Sequence, residues 1–434
     1  MKNSDRIVVW GAGYIGLTTA ISYAEKGVKT IIYDIDEEKI KRIKNGESVI
    51  PNLEYWCGYD FNFWFQNGTI EIGLFTGELY SNINFIAIPT EKNMKPYFEA
   101  LKDVLNKILY YSNSEVEEKI VIIIESTLTP GLTDKCILPL LKKCEVPIEK
   151  YSLVLAPRRD WFVSADKNLK TIPRVFGCVN KEDDKYIYEL LGKVCENLVC
   201  ANDYHSAEAV KSVENVIRYV NITIANQLAV AYPDIDINEI LKLAGTKWNI
   251  DTYNPGFGIG GYCVPLSAEY LLEGTSLCDK LSIIKTAKEY NEKYIEDLLN
   301  ILKLRRYKKI GILGLSYKGD IKVHTGSPTL EIVRKLKKES DVCVNDPYYS
   351  DEEIYEIAKC KSFRFPEDLI LFDCLLLVTK HRLYCSLGKG ALLNQMKKDA
   401  TVIDGAKVWP EYFRSDKEIN YIQIGMNNWY ERNE

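Results

Sequence analysis

A strand, a glycine-rich turn and a helix open the chain, and the same succession returns after residue 305. A long helical stretch without proline or glycine lies between them. Together these features predict an α/β protein of two Rossmann-like, doubly wound domains joined by a central long-helix region. With 434 residues the chain is too long for one ordinary core. The expected divisions are 1–200, 201–304 and 305–434.

Arg6-Ile-Val-Val-Trp10 reads as a buried strand and is followed at once by Gly11-Ala-Gly-Tyr-Ile-Gly16. Leu17 to Lys26 has a helical pattern, and Lys29-Thr-Ile-Ile-Tyr33 is a second strand ending at Asp34. Strand, GxGxxG, helix, strand and acid in this order form a dinucleotide-binding fingerprint. Gly11 makes the turn, Gly13 lets a pyrophosphate approach the backbone, and Gly16 lets helix pack on strand. Tyr14 and Ile15 lie at the helix start, whose N–H groups face the phosphate. Asp34 is placed to accept the ribose hydroxyls and to repel a 2′-phosphate, so NAD is the expected cofactor. Asn84–Ile88, Lys119–Ile124 and Tyr151–Leu155 are further strands. Thr90 and Thr127 follow two of them, placed either to touch cofactor or substrate or to cap the next helix. Arg158 and Arg159 at the third strand's exit hold a phosphate or carboxylate, or are simply solvated.

Asp203 to Ala231 carries Ala209, Val210, Val213, Val216, Ile217, Val220, Ile224 and Leu228 at helical spacing. Its apolar surface exceeds one intrachain contact, which points to a homodimer. Lys211 and Asn215 are one turn apart and share a face; the bland alternative is a solvated lysine beside a surface amide. A second helix, Ile237 to Ala244, leads into Asn254-Pro-Gly-Phe-Gly-Ile-Gly-Gly-Tyr-Cys263. Four glycines in six residues preclude a stable helix or strand and allow close backbone approach. Cys263 then stands at the lip of a tight loop, near the amides of Gly260 and Gly261. It is either a nucleophile or a small buried hydrophobe.

After residue 305 come the strand Lys309–Leu313, the turn Gly314–Gly319, a helix from Ser327 to Lys338 with Ser327-Pro328 at its start, and the strands Asp341–Asn345 and Cys374–Val378. Net charge is −5, without long basic runs, so no nucleic-acid partner is expected. Twelve cysteines are scattered singly with no CxxC pair, which fits a reducing cytoplasm. The three histidines are far apart in sequence, so no metal site is expected. No apolar run approaches the roughly 20 residues that span a membrane.

The chain resembles the nucleotide-sugar 6-dehydrogenase family, the UDP-glucose and UDP-N-acetylmannosamine dehydrogenases. The resemblance rests on GAGYIG with Asp34, AIPT, ESTLTPG, the Lys211-Ser-Val-Glu-Asn215 helix, GFGIGGYC around Cys263, Lys308 to Lys318, and Val402-Ile-Asp-Gly405. These run in family order over nearly the whole chain. The resemblance implies an amino-terminal NAD domain, a central dimerisation region and a carboxy-terminal nucleotide-sugar domain. It implies oxidation of a sugar C6 alcohol to a carboxylate with two NAD, through a thiohemiacetal and a thioester on Cys263. Lys211 and Asn215 would stabilise the C6 oxyanion, Thr127 would hold water, and Lys318 would reach the diphosphate.

Four positions depart from the family pattern. Ser267 replaces an acid four residues after the cysteine, and Arg158 replaces a glutamate before Arg159. Lys322, Val323 and Thr325 replace two aspartates and an arginine, and Ala406 replaces an arginine beside Lys407. The diphosphate is therefore expected to lean on Lys318, with Lys407, Arg158 or Lys247, and the sugar to lie near Gly260. A working dehydrogenase with an altered pocket is the expected function. The alternatives are an enzyme that stops at aldehyde or thioester, and a non-catalytic binder of NAD or nucleotide sugar, which would have no use for the thiol.

Overall fold

The structure is a computed structural model that describes residues 6–57, 61–78, 81–111, 119–144, 147–160, 166–413, 419–427 and 429–430. It divides into two compact units, residues 1–214 with 269–278 and residues 215–268 with 279–434.

The first unit is built on strands β1 (Arg6–Trp10), β2 (Lys29–Tyr33), β3 (Ile70–Gly73), β4 (Ile83–Ile86), β5 (Ile120–Ile124), β6 (Tyr151–Leu155), β7 (Arg174–Cys178) and β8 (Leu198–Cys200). They form one sheet in the order β8-β7-β6-β5-β4-β1-β2-β3. Neighbours are parallel except β6 and β7, where Val154 faces Cys178. β5 is a β-branched run, Ile120-Val-Ile-Ile-Ile124, with residues 121–124 buried, as a strand covered on both faces requires. Val8, Ile86, Leu105, Ile108, Ile122 and Leu153 form the core around it. The order reverses between β1 and β4, and their carboxyl ends therefore open the crevice where such sheets take ligands.

The second unit is built on β9 (Lys309–Leu313), β10 (Asp341–Asn345), β11 (Lys361–Ser362), β12 (Cys374–Leu377), β13 (Thr401–Asp404) and β14 (Asn420–Gln423). The order is β11-β10-β9-β12-β13-β14, all parallel. Here the reversal lies between β9 and β12. The two doubly wound sheets expected from the sequence are present.

The first helix, Tyr14–Ala24, begins three residues earlier than the periodicity predicts, with extended Gly13 as its N-cap. Glycine lowers helix propensity, but here the last glycine is needed inside the helix: a Cβ on Gly16 would lie 1.8 Å from the Gly11 carbonyl oxygen. The long helix runs Tyr204–Ala231 and passes from one unit to the other after Glu214. Val213, Ile217 and Ile224 on it are 43%, 57% and 46% exposed, so an apolar stripe stays uncovered in the single chain. The helix Ser282–Ile301 was not legible in the sequence, because its Lys- and Glu-rich face masks the buried stripe of Ile284, Ala287, Tyr294, Ile295 and Leu298. Among the described residues no helix is long and apolar enough to cross a membrane, and no group of His, Cys, Asp or Glu could hold a metal ion.

Candidate active site

The glycine turn after β1 is shaped by contact. Gly11 has φ +102°, and a Cβ there would lie 2.4 Å from the Ala87 carbonyl oxygen. Gly13 has no atom within 4 Å of its Cβ position, so its backbone stays open to a ligand as a pyrophosphate needs. Asp34 accepts the Ala12 amide at 2.6 Å and the Asp36 amide at 2.9 Å. Lys39 lies 3.1 Å from the same carboxylate, a cation beside Asp34 that sequence reasoning missed. The helix Glu37–Lys44 brings it there, because Asp36 caps that helix on the Lys39 amide. An open Gly13, a helix start and an acid at the β2 end fit a dinucleotide.

Thr90 is buried, its hydroxyl donating to the Thr127 carbonyl at 2.5 Å and lying 2.9 Å from the Tyr270 hydroxyl. It thus braces the segment carrying half-buried Thr127. Tyr14 is buried, its hydroxyl 3.4 Å from Asp160. Arg158, expected from the sequence at an anionic ligand, is instead 3% exposed beneath the first helix. Its guanidinium donates to both Asp160 oxygens at 2.6 and 2.5 Å, to Thr19 at 2.6 Å, to Thr18 at 3.0 Å and to the Ile15 carbonyl at 3.4 Å. All its donors are committed, because a buried guanidinium must be satisfied within the protein. Glu125 pairs in turn with Thr19 and Arg174. Where the family resemblance implies a glutamate, Arg158 thus finds a local partner, Asp160, two residues on.

In the second unit the glycine loop is irregular, as predicted, with Gly258 and Gly261 at φ +116° and +88°. Cβ atoms on Gly256, Gly260 and Gly261 would lie 2.8 Å from the Gly405 oxygen, 2.8 Å from Pro328 and 2.6 Å from the Tyr317 ring. The Gly261 amide, expected near the thiol, is spent on the Gly326 carbonyl. The loop ends where the helix Cys263–Glu273 begins, so Cys263 occupies that helix's first position and is half-buried. Buried Asn215 donates to the Cys263 carbonyl at 3.4 Å and to the Ser267 hydroxyl at 3.0 Å. Ser267 itself donates to the Cys263 carbonyl at 2.7 Å. Two motifs 48 residues apart in sequence are thereby joined.

A cavity of about 320 Å³ opens on this loop, lined among others by Asn254, Phe257, Gly260, Tyr317, Ala406 and Lys407. Lys407 has φ +54° and donates to Asn254 at 2.6 Å. Burial pulls its amine below the usual range, partly offset by Asp236 and Asp404. Asp404 shapes this corner by accepting the Ala406, Val408 and Trp409 amides. Half-buried Lys318 follows Tyr317, its amine pushed down to about 8 by burial, with the Arg218 cation adding to the effect. Lys247 is exposed in the turn after the helix Ile237–Ala244 and does not line the cavity. Lys322 is held by Glu353 at 2.6 Å, and Thr325 is exposed. Lys211 is half-buried on the long helix, one turn before Asn215. Asn254 and Tyr317 escaped sequence reasoning; the only signal was their adjacency to the glycine loop and to Lys318.

Three family models match in succession. They are the NAD binding domain of the UDP-glucose/GDP-mannose dehydrogenase family at residues 5–195, its central domain at 205–293 and its UDP binding domain at 311–411. The chain is 30% identical to a UDP-N-acetyl-D-mannosamine dehydrogenase of Methanocaldococcus jannaschii over 359 residues, 80% of each chain. It is 29% identical to the Methanococcus aeolicus protein of that name over 426 residues, 93% of this chain and 91% of the other. The solved UDP-D-ManNAc dehydrogenase of Pyrococcus horikoshii shares the fold at a TM-score of 0.81 and 23% identity, covering 98% of this chain and 100% of that one. With the dinucleotide cradle, the thiol loop and the three domain matches in the order of the chain, this protein is an NAD-dependent nucleotide-sugar dehydrogenase and belongs to the UDP-glucose/GDP-mannose dehydrogenase family.

Proposed function

We propose that the enzyme oxidises the C6 hydroxyl of a UDP-linked hexose or N-acetylhexosamine to the uronate, with UDP-N-acetyl-D-mannosamine the first substrate to test because the relatives bear that name. Residues 1–200 serve NAD, 201–304 the thiol and the dimer contact, and 305–434 the nucleotide sugar. What supports the reading is the bonding of Asn215 to the Cys263 turn beside a glycine-walled cavity.

Bound NAD supplies the hydride acceptor for each of the two oxidations. The Cys263 thiol adds to the aldehyde carbon, forming a C–S bond while the carbonyl oxygen takes up a proton. Loss of the second hydride leaves a thioester, which water cleaves to the acid with return of the thiol. The Lys211 ammonium stabilises charge on the C6 oxygen, and Asn215, one turn on along the same helix, holds the Cys263 turn through its amide N–H groups. Thr127 orients water. Gly11, Gly13, Tyr14, Ile15, Gly16, Asp34 and Thr90 form the cofactor's surroundings, Arg158 acting from below through the helix it braces. Gly260, Lys318 and Lys407 serve the sugar nucleotide.

The test is a screen of UDP-N-acetylmannosamine, UDP-glucose, UDP-N-acetylgalactosamine and GDP-mannose with NAD. NADH formation with one UDP sugar is expected, and none with any of them would overturn the reading. The uncovered stripe of Val213, Ile217 and Ile224 supports a homodimer, and Ile217→Glu should yield monomers by light scattering; the singly scattered cysteines favour a reducing cytoplasm.

A further inference from the structure

We propose that His381 is a positioning residue for the nucleotide sugar: it closes a buried bracket that holds both ends of the loop carrying Tyr317 and Lys318. This rests on reading the cavity beside Tyr317 as the nucleotide-sugar site.

His381 follows β12 by four residues, at the strand-order reversal of the second sheet, and is fully buried. A buried imidazole must satisfy both ring nitrogens inside the protein. Nδ1 lies 3.0 Å from the Asp320 amide nitrogen, and Nε2 lies 3.1 Å from Asp346 Oδ2. A backbone N–H can only donate, so Nδ1 is the acceptor and the ring proton sits on Nε2, donated to Asp346. Asp346 Oδ2 also accepts the Leu315 and Ser316 amides at 2.9 and 2.8 Å, and Oδ1 accepts the Tyr348 amide at 3.0 Å. Burial alone would raise this carboxyl, but His381 and the amides outweigh it and hold it below the usual range. One end of the loop therefore hangs on Asp346 and the other on His381, and the His381–Asp346 bond joins the two.

The loop needs such a bracket. Gly314 and Asp320 both lie in the left-handed region, at φ +109° and +60°, and Asp320 persists there with its carboxylate held by the Arg382 amide at 3.0 Å and the Arg382 Nε at 2.9 Å. Gly319 is seated so closely that a Cβ would lie 1.9 Å from the Lys380 carbonyl oxygen. Between the clamped ends, Tyr317 lines the cavity and packs on Gly261. The first sheet shows the contrast: Asp34, at the matching strand end, also takes a turn amide but faces Lys39 rather than a buried histidine. In the second sheet that acid has become an internal brace.

Three variants separate positioning from mere packing. His381→Asn keeps an acceptor near Nδ1, His381→Gln keeps a donor near Nε2, and His381→Ala keeps neither. Binding constants for UDP-N-acetylmannosamine and NAD are measured separately, with hydrogen exchange at the Leu315, Ser316 and Asp320 amides of the ligand-free protein. His381→Ala should weaken nucleotide-sugar binding about tenfold or more, leave the NAD constant within about twofold, and speed exchange at all three amides. The Asn variant should restore protection at Asp320, the Gln variant at Leu315 and Ser316, each with partial recovery of sugar-nucleotide affinity. Unchanged sugar-nucleotide affinity in His381→Ala overturns the proposal, as does equal loss of both ligands in all three variants. If the parent binds NAD but no nucleotide sugar, the cavity reading itself has failed and the proposal falls with it.

Discussion

Raising the pH should weaken nucleotide-sugar binding, chiefly through Lys318. Its half-buried amine titrates near 8 rather than at the ordinary 10.5, because burial disfavours the ammonium and the Arg218 cation adds to this. A bound diphosphate favours the ammonium, so the ligand selects the protonated enzyme. At about pH 7 roughly nine in ten Lys318 side chains carry the proton and at about pH 9 roughly one in ten, so apparent affinity should fall about tenfold across that range.

The sign of the stability effect is opposite. The unfolded chain keeps this proton up to its ordinary value while the folded chain releases it near 8, so between these values the unfolded state binds more protons. This group's contribution to stability therefore rises with pH, and alkaline unfolding at Lys318 cannot imitate the loss of affinity. The assay is calorimetric binding of UDP-N-acetylmannosamine across the range, with NAD binding as the internal control. Lys318→Arg should bind with a flatter profile, since a guanidinium stays charged throughout and only the lowered Lys407 amine still titrates beside the cavity. Lys318→Met should bind weakly at every pH. A flat profile in the parent, or the parent's profile surviving in Lys318→Met, would refute the assignment of Lys318 to the diphosphate.

Asp34→Ala should weaken NAD binding about tenfold or more and narrow the preference over NADP, because Lys39 is then released toward a 2′-phosphate; equal affinity for both cofactors in the parent would sink the role of Asp34. Because Ser267 and Arg158 stand where the family resemblance implies acids, hydrolysis of the thioester should lag by on the order of 10² to 10⁴ relative to a site with a carboxylate base. A burst of NADH and an acyl adduct on Cys263 by intact mass are then expected, with Ser267→Asp speeding turnover; a linear progress curve without adduct would show that another base serves. Arg158→Ala leaves Asp160 buried and unpaired and should cost about 3–5 kcal/mol in urea unfolding near neutral pH. Arg158 holds the Asp160 carboxyl below the usual range against the opposing effect of burial, so the deficit should shrink as pH falls and Asp160 protonates. A deficit independent of pH would place the loss elsewhere.

What the sequence determined by itself was local. β-Branched runs ending in small or acidic residues marked the strands, glycine spacing marked the cofactor turn and the thiol loop, and unbroken 3.6-residue periodicity marked the helix Tyr204–Ala231 to within a residue. Each of these properties is written within ten to thirty consecutive residues, where backbone freedom and side-chain alternation act directly. The partners of each charge were decided only by tertiary structure. Arg158 and Lys318 both read as cations available to an anion, yet one lies sealed against Asp160 and the other stands half-buried beside the cavity loop. His381 looked like an isolated histidine, yet packing brings it between residues 61 and 35 positions away. Asp34 and Asp346 occupy the same place after a strand, and only the neighbours supplied by the fold set one beside Lys39 and make the other an internal brace. The physical reason is that burial sets the cost of a charge and forces it to find a partner, and burial is a property of the packed chain rather than of any segment of it.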